Sequence, residues 1–145
     1  MMQTDETDQQ LLALLRENAR LPVADLARKL GLARTTVQAR IERLENAGVI
    51  TGYTLRRSAA TRPALQATVL IQIEPRSGPA VLARLKSLPG VEMVHTTSGR
   101  FDLLAQVVAD TTEVLDETID DIGAAKGVRS SESLIHLTTK IDRLG

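Results

Sequence analysis

Apolar positions repeat with two different periods along this chain. In "DETDQQLLALLRENAR", Leu11, Leu14, Leu15 and Ala19 share one helical face, and the acidic residues stand first, where a helix dipole favours them. This predicts a helix from about Asp8 to Asn18. Pro22 suits the opening of a shorter helix, "VADLARKL", which Gly31 closes. A third helix is expected from about Arg34 to Asn46, with Val37, Ile41 and Leu44 as its buried stripe and "NAG" as its stop. A short turn joins the last two helices, which together make a helix-turn-helix.

After Gly48 the period shortens to two. "VITGYTLRR" suggests two very short strands around Thr51 and Gly52, a small wing, and "SAATRPALQ" lacks any period and suits a linker. Beyond it the elements alternate. Strands are expected at 67–74, 91–98, 101–109 and 128–140, and helices at 78–88 and 111–125. The order βαββαβ is that of a ferredoxin-like sandwich with both helices on one face of a sheet. The predicted class is therefore α+β: a winged helix-turn-helix over residues 1–55, a linker over 56–66 and a ferredoxin-like domain over 67–145.

Both faces of that sheet carry apolar residues. Phe101, Leu103, Ala105 and Val107 alternate with Leu104 and Val108, and Leu70, Val94 and Leu134 repeat the two-sided pattern on the other strands. Helices cover only one face. The other would expose a larger apolar patch than a soluble monomer tolerates, which predicts a homodimer through the sheets.

Composition narrows the chemistry. Of 145 residues, 43% are hydrophobic and 25% charged, as in a soluble globular protein. No apolar run is long enough for a membrane span, and the polar, acidic start "MMQTDETDQQ" is unlike a secretory signal, so a cytoplasmic protein without membrane contact is expected. Cysteine is absent, which removes disulfides and thiolate metal sites. A single Phe and a single Tyr make no stacking platform for single-stranded nucleic acid. The formal net charge of zero conceals an asymmetry. Residues 1–62 hold ten Lys/Arg against seven Asp/Glu, leaving eight basic and eleven acidic groups for the rest. A basic half joined to an acidic half suggests two modules with different partners, one of them a polyanion.

In a helix-turn-helix the second of the paired helices enters the major groove of double-stranded DNA with its N-terminal residues at base edges. By position, Arg34, Thr35, Thr36 and Gln38 would face bases, with Arg suited to guanine and Gln to adenine. Arg40 and Arg43 would lie nearer phosphate, with Arg28, Lys29 and the pair Arg56 and Arg57 as further candidates. The plainer alternative is a solvated polar face, with Arg40 packed across the three-helix junction or paired with Glu42 or Glu45.

Taken together, "D..LL..L..NAR", "LA..LGL", "RI.RLE..GVI.GY", "SGRFDLL", a late Gly127-Val128 and a final "T.K" resemble the Lrp/AsnC, or feast/famine, family of bacterial and archaeal transcription regulators. The resemblance spans nearly the whole chain. Two caps depart from the pattern: Ala33 stands where a Ser commonly caps the recognition helix, and Pro22 where a Ser or Thr is frequent. Losing such a cap costs about 1 kcal/mol and does not threaten the fold. Arg100 also replaces a residue that is often acidic or neutral.

The resemblance implies that the second half binds a small amino-acid effector at an interface between dimers. The carried-over positions are Ser98, Gly99, Arg100, Phe101 and Asp102, with Thr97 and Thr138 as further side-chain contacts. Gly99 would permit close backbone approach, the turn's N–H groups can hold a carboxylate, and Asp102 can accept from an ammonium. The alternative is that Gly99 only makes the hairpin and Asp102 only bonds the turn.

Other chemistry is poorly served. His95 and His136 fall on the second and fourth strands, opposite edges of one sheet in this topology, so no metal is expected between them. The carboxylates Glu113, Asp116, Glu117, Asp120 and Asp121 make an acidic helix face, and no nucleophile has an identifiable base, so no enzyme and no cofactor are expected. Three functional readings stay open: a sequence-specific, effector-responsive regulator, an architectural DNA-binding protein with no small-molecule effector, or a small metabolic enzyme or ligand-binding domain whose helix-turn-helix serves only as a protein-interaction module.

Overall fold

The computed structural model describes residues 3–144, which divide into two compact units, with the division between Arg56 and Arg57.

The first unit is three helices: α1 (Glu6–Glu17), α2 (Val23–Leu30) and α3 (Arg34–Asn46). Helix α1 begins two residues earlier than the apolar stripe suggests, because Asp5 caps it. The Asp8 N–H donates to Asp5 Oδ1 at 2.7 Å and the Asp5 N–H to Asp8 Oδ2 at 3.2 Å, a reciprocal capping box. Helices α2 and α3 start without a side-chain cap, at Pro22 and Ala33, as those residue types require. The core is Leu11 and Leu15 of α1, Leu26 and Ala27 of α2, and Val37 and Leu44 of α3, with Ile41 and Ile50 packed against it.

The expected wing strands are not formed: residues 51–58 contain no strand. The end of α3 takes the donors that a hairpin would need. The N–H groups of Val49 and Ile50 both donate to the Leu44 carbonyl, at 2.9 and 3.0 Å. A ribbon of two such short strands with no third partner is also unstable by itself.

The second unit holds β1 (Leu65–Ile73), α4 (Gly78–Lys86), β2 (Val91–Thr96), β3 (Leu103–Ala109), α5 (Thr112–Ala124) and β4 (Val128–Ile135). The sheet order is β2-β3-β1-β4, antiparallel throughout, which is the ferredoxin-like arrangement expected. A single 3-10 turn, Ala59–Thr61, precedes β1, which starts two residues earlier than its alternation suggests. The last strand is shorter than expected. It stops at Ile135, so Thr138 lies in irregular, exposed chain.

Register separates the two faces. Ala67, Val69 and Ile71 of β1 and Leu103, Ala105 and Val107 of β3 are buried against Val81 and Leu85 of α4 and Leu115 and Ile122 of α5. The intervening residues form the open face, where Leu70 pairs with Leu104 on one side and Glu132 on the other, and Thr68 with Gln106 and Leu134. The open face is thus more mixed than the sequence pattern implies, because Thr68, Gln72, Gln106 and Glu132 interrupt the leucines. It still leaves Met93 and Leu134 about half exposed.

Candidate functional site

Burying Val37 and Leu44 turns the rest of α3 outward. Arg34, Thr35, Thr36 and Gln38 are all exposed on its first turns. The Gln38 amide nitrogen donates to Glu42 Oε1 at 3.1 Å, which uses one of its two N–H donors and leaves the amide oxygen outside that contact. Thr35, Thr36, Ala39, Arg40 and Arg43 line a shallow concavity beside them.

The two arginines one turn further along are occupied. Arg40 Nη1 donates to Asp5 at 2.8 Å and to Asp8 Oδ1 at 2.9 Å, while Arg43 Nη2 donates to Asp8 Oδ2 at 2.8 Å. Arg40 therefore packs across the junction between α3 and α1, and its partners are aspartates of α1 rather than Glu42 or Glu45. Its guanidinium holds the Asp5 carboxyl below the ordinary value of 3.8. A depressed carboxylate contributes its stability above the ordinary value and loses it only as pH falls through the lower folded one, so this contact persists at neutral pH. The signal was local: Asp5 and Asp8 stand at capping-box spacing. Their arginine partners, more than 30 residues away, were not readable.

The other cations are dispersed. Arg28 pairs with Asp25 at 3.2 Å, the Arg56 guanidinium donates to the Glu17 carbonyl at 2.9 Å, and Arg57, in the second unit, donates to the Thr61 carbonyl.

In the second unit, Ser98 to Asp102 form the turn between β2 and β3. Gly99 has φ +95°, and a Cβ added there would meet nothing within 4 Å, so the turn's backbone is open on that side. Thr97 Oγ1 donates across the turn to the Phe101 carbonyl at 2.7 Å, and Asp102 Oδ2 accepts from the Ile73 N–H at the end of β1 at 2.9 Å. Asp102 thus ties the turn to β1 rather than bonding the turn itself, and one carboxylate oxygen remains. The Arg100 guanidinium lies 5.1 Å from the Phe101 ring centroid, and its backbone carbonyl accepts from Gln72 at 2.8 Å. Thr138 is not hydrogen-bonded to this turn.

Strand pairing adds residues that the sequence did not single out. Gln72, Ser130, Ser131 and Glu132 line an open concavity with Arg100 and Phe101, because β1 and β4 are neighbours only in the folded sheet. At its margin, Glu74 and Arg129 pair at 3.3 Å, which raises the guanidinium's affinity for its proton further. His95 lies on β2 and His136 just past β4, at opposite edges, and His136 Nε2 is 2.8 Å from Thr68 Oγ1. Among the described residues no helix is long and apolar enough to cross a membrane.

Comparison with known proteins gives two family matches: a winged helix-turn-helix DNA-binding model over residues 4–51 and the Lrp/AsnC ligand binding domain over residues 66–144. The HTH-type transcriptional regulator LysM of Sulfurisphaera tokodaii is 33% identical over 138 residues, covering 94% of this chain and 97% of that protein. AsnC of E. coli has a similar structure, with a TM-score of 0.88 at 28% identity over 98% of this chain and 97% of its own. The leucine response regulatory protein LrpA of Mycobacterium tuberculosis is similar at a TM-score of 0.77 and 30% identity, covering 96% of each chain.

Proposed function

Because the chain belongs to the Lrp/AsnC family of DNA-binding transcriptional regulators, we propose that α3 reads the major groove through Arg34, Thr35, Thr36 and Gln38. The observation that carries this is the exposure of those four side chains on the first turns of a helix whose opposite stripe is buried. Residues 1–55 supply the DNA contacts, and residues 67–145 dimerise through the open sheet face and bind an amino acid at the Ser98–Asp102 turn, in the cytoplasm. Two protomers would then read half-sites about one DNA turn apart. An effector acts by binding one assembly or dimer orientation more tightly than another, since differential affinity is what shifts such an equilibrium.

The test is fluorescence anisotropy of a labelled duplex from upstream of the protein's own gene against an unrelated duplex, with and without a pool of amino acids. Selective binding that the pool alters is the expected result. Equal weak binding to both duplexes, unmoved by the pool, would favour an architectural protein. In the same assay, replacing Arg34 and Gln38 together with Ala is expected to relax sequence preference, at about 1–3 kcal/mol per lost paired contact. Unchanged preference would remove both residues from base reading.

For the effector, Gly99→Asp is expected to abolish thermal stabilisation by the bound amino acid while leaving the dimer intact, because it places a carboxylate where the ligand's own would approach. Stabilisation that survives the change would put the pocket elsewhere.

A further inference from the structure

Asp8 is a buried carboxylate that touches two arginines of the proposed recognition helix and lies on a different helix from them. Its side chain is fully buried; Arg40 retains 24% of its side-chain exposure and Arg43 52%. Arg40 Nη1 donates to both carboxylate oxygens of Asp5 and to one of Asp8, whereas Arg43 Nη2 donates to Asp8 alone. The two guanidiniums are three positions apart, on one side of α3, and Arg43 keeps about twice the exposure of Arg40.

We propose that Asp5 and Asp8 are positioning residues for DNA recognition: they withdraw Arg40 from the phosphates and present Arg43, beside Thr35 and Thr36, as the phosphate contact of that row. Affinity without sequence preference comes from the number of phosphates neutralised, and preference comes from base edges. Holding back one of two adjacent arginines lowers the first without touching the second. The acidic pair thereby lowers the electrostatic, salt-dependent share of binding to every sequence alike, although neither residue reaches DNA. This rests on the groove-facing reading of α3.

The experiment measures binding of the full chain to specific and unrelated duplexes across a salt series. Arg43→Ala is expected to flatten the slope of log K against log salt by up to about 0.9 per protomer, the value for one phosphate. Arg40→Ala is expected to lower the melting temperature and leave that slope unchanged. Asp5→Asn keeps a residue suited to capping α1 and is expected to steepen the slope and tighten binding to the specific and unrelated duplexes alike. Asp8→Asn should do the same more strongly, and if it fails to fold, the exposed Asp5 position carries the test. A slope that Arg40→Ala flattens as much as Arg43→Ala, or that Asp5→Asn leaves unmoved, overturns the proposal while groove reading stands. A slope that Arg43→Ala leaves unchanged overturns both.

Discussion

Leu44→Ala is expected to cost the N-terminal unit about 2–5 kcal/mol and to remove most DNA binding with it. Leu44 is fully buried, and the core it belongs to has only five other buried apolar side chains: Leu11, Leu15, Leu26, Ala27 and Val37. All three helices contribute to that cluster, so a cavity at Leu44 loosens the seating of α3 itself rather than one peripheral contact. A unit of this size has about 3–8 kcal/mol of stability in total, so the loss is a large fraction of what holds it folded. Urea titration followed by the emission of Tyr53, the sole tyrosine in a chain without tryptophan, reports this unit directly. The midpoint should fall sharply for Leu44→Ala and hardly move for Leu55→Ala, whose side chain is 73% exposed. A small shift for Leu44→Ala would mean that the three helices collapse onto the vacated space.

Gly127→Val is expected to destabilise the C-terminal unit by about 3 kcal/mol or more, from backbone strain and overpacking together. The backbone at Gly127 has φ +98°, and an added Cβ would lie 2.6 Å from Ser77 Cβ and 3.1 Å from Val81 Cγ2. Neither neighbour can withdraw. Val81 is fully buried in the core, and the backbone of Ser77 is pinned, its N–H donating to the Glu74 carbonyl at 3.1 Å and its carbonyl accepting from Val81 at 3.0 Å. The Gly127 carbonyl meanwhile accepts from the Glu74 N–H at 2.7 Å, joining the end of β1 to the start of β4. Gly99→Ala is the control, because it has the same sign of φ with open space around it, and is expected to cost only the conformational penalty of about 1–2 kcal/mol. Calorimetry on both variants separates crowding from strain. Equal shifts would show that the crowding at Gly127 relaxes away.

Periodicity and spacing determined the elements and their order. Leu11, Leu15, Val37 and Leu44 announced the helices because an amphipathic stripe is a local property of the chain, and Gly31 marked a boundary because its conformational freedom is its own. The two-sided apolar run of β3 announced a strand for the same reason, and the exposed first turns of α3 follow once its buried stripe is known. What depended on partners distant in sequence was decided by the tertiary structure. The wing strands failed because the end of α3 claims the N–H groups of Val49 and Ile50, and β4 ended early because its register sets Ile135 opposite Ala67, two residues from the start of β1. Arg40 looked like a phosphate contact from its place on the helix, yet folding sets it against Asp5 and Asp8, and the Gln72, Ser130 and Glu132 concavity exists only through the β1 to β4 register. A charged side chain's sequence position gives its face, but its partner is set by which elements the core brings together. Electrostatic neutralisation at the short distances of these ion pairs therefore belongs to the fold rather than to the pattern.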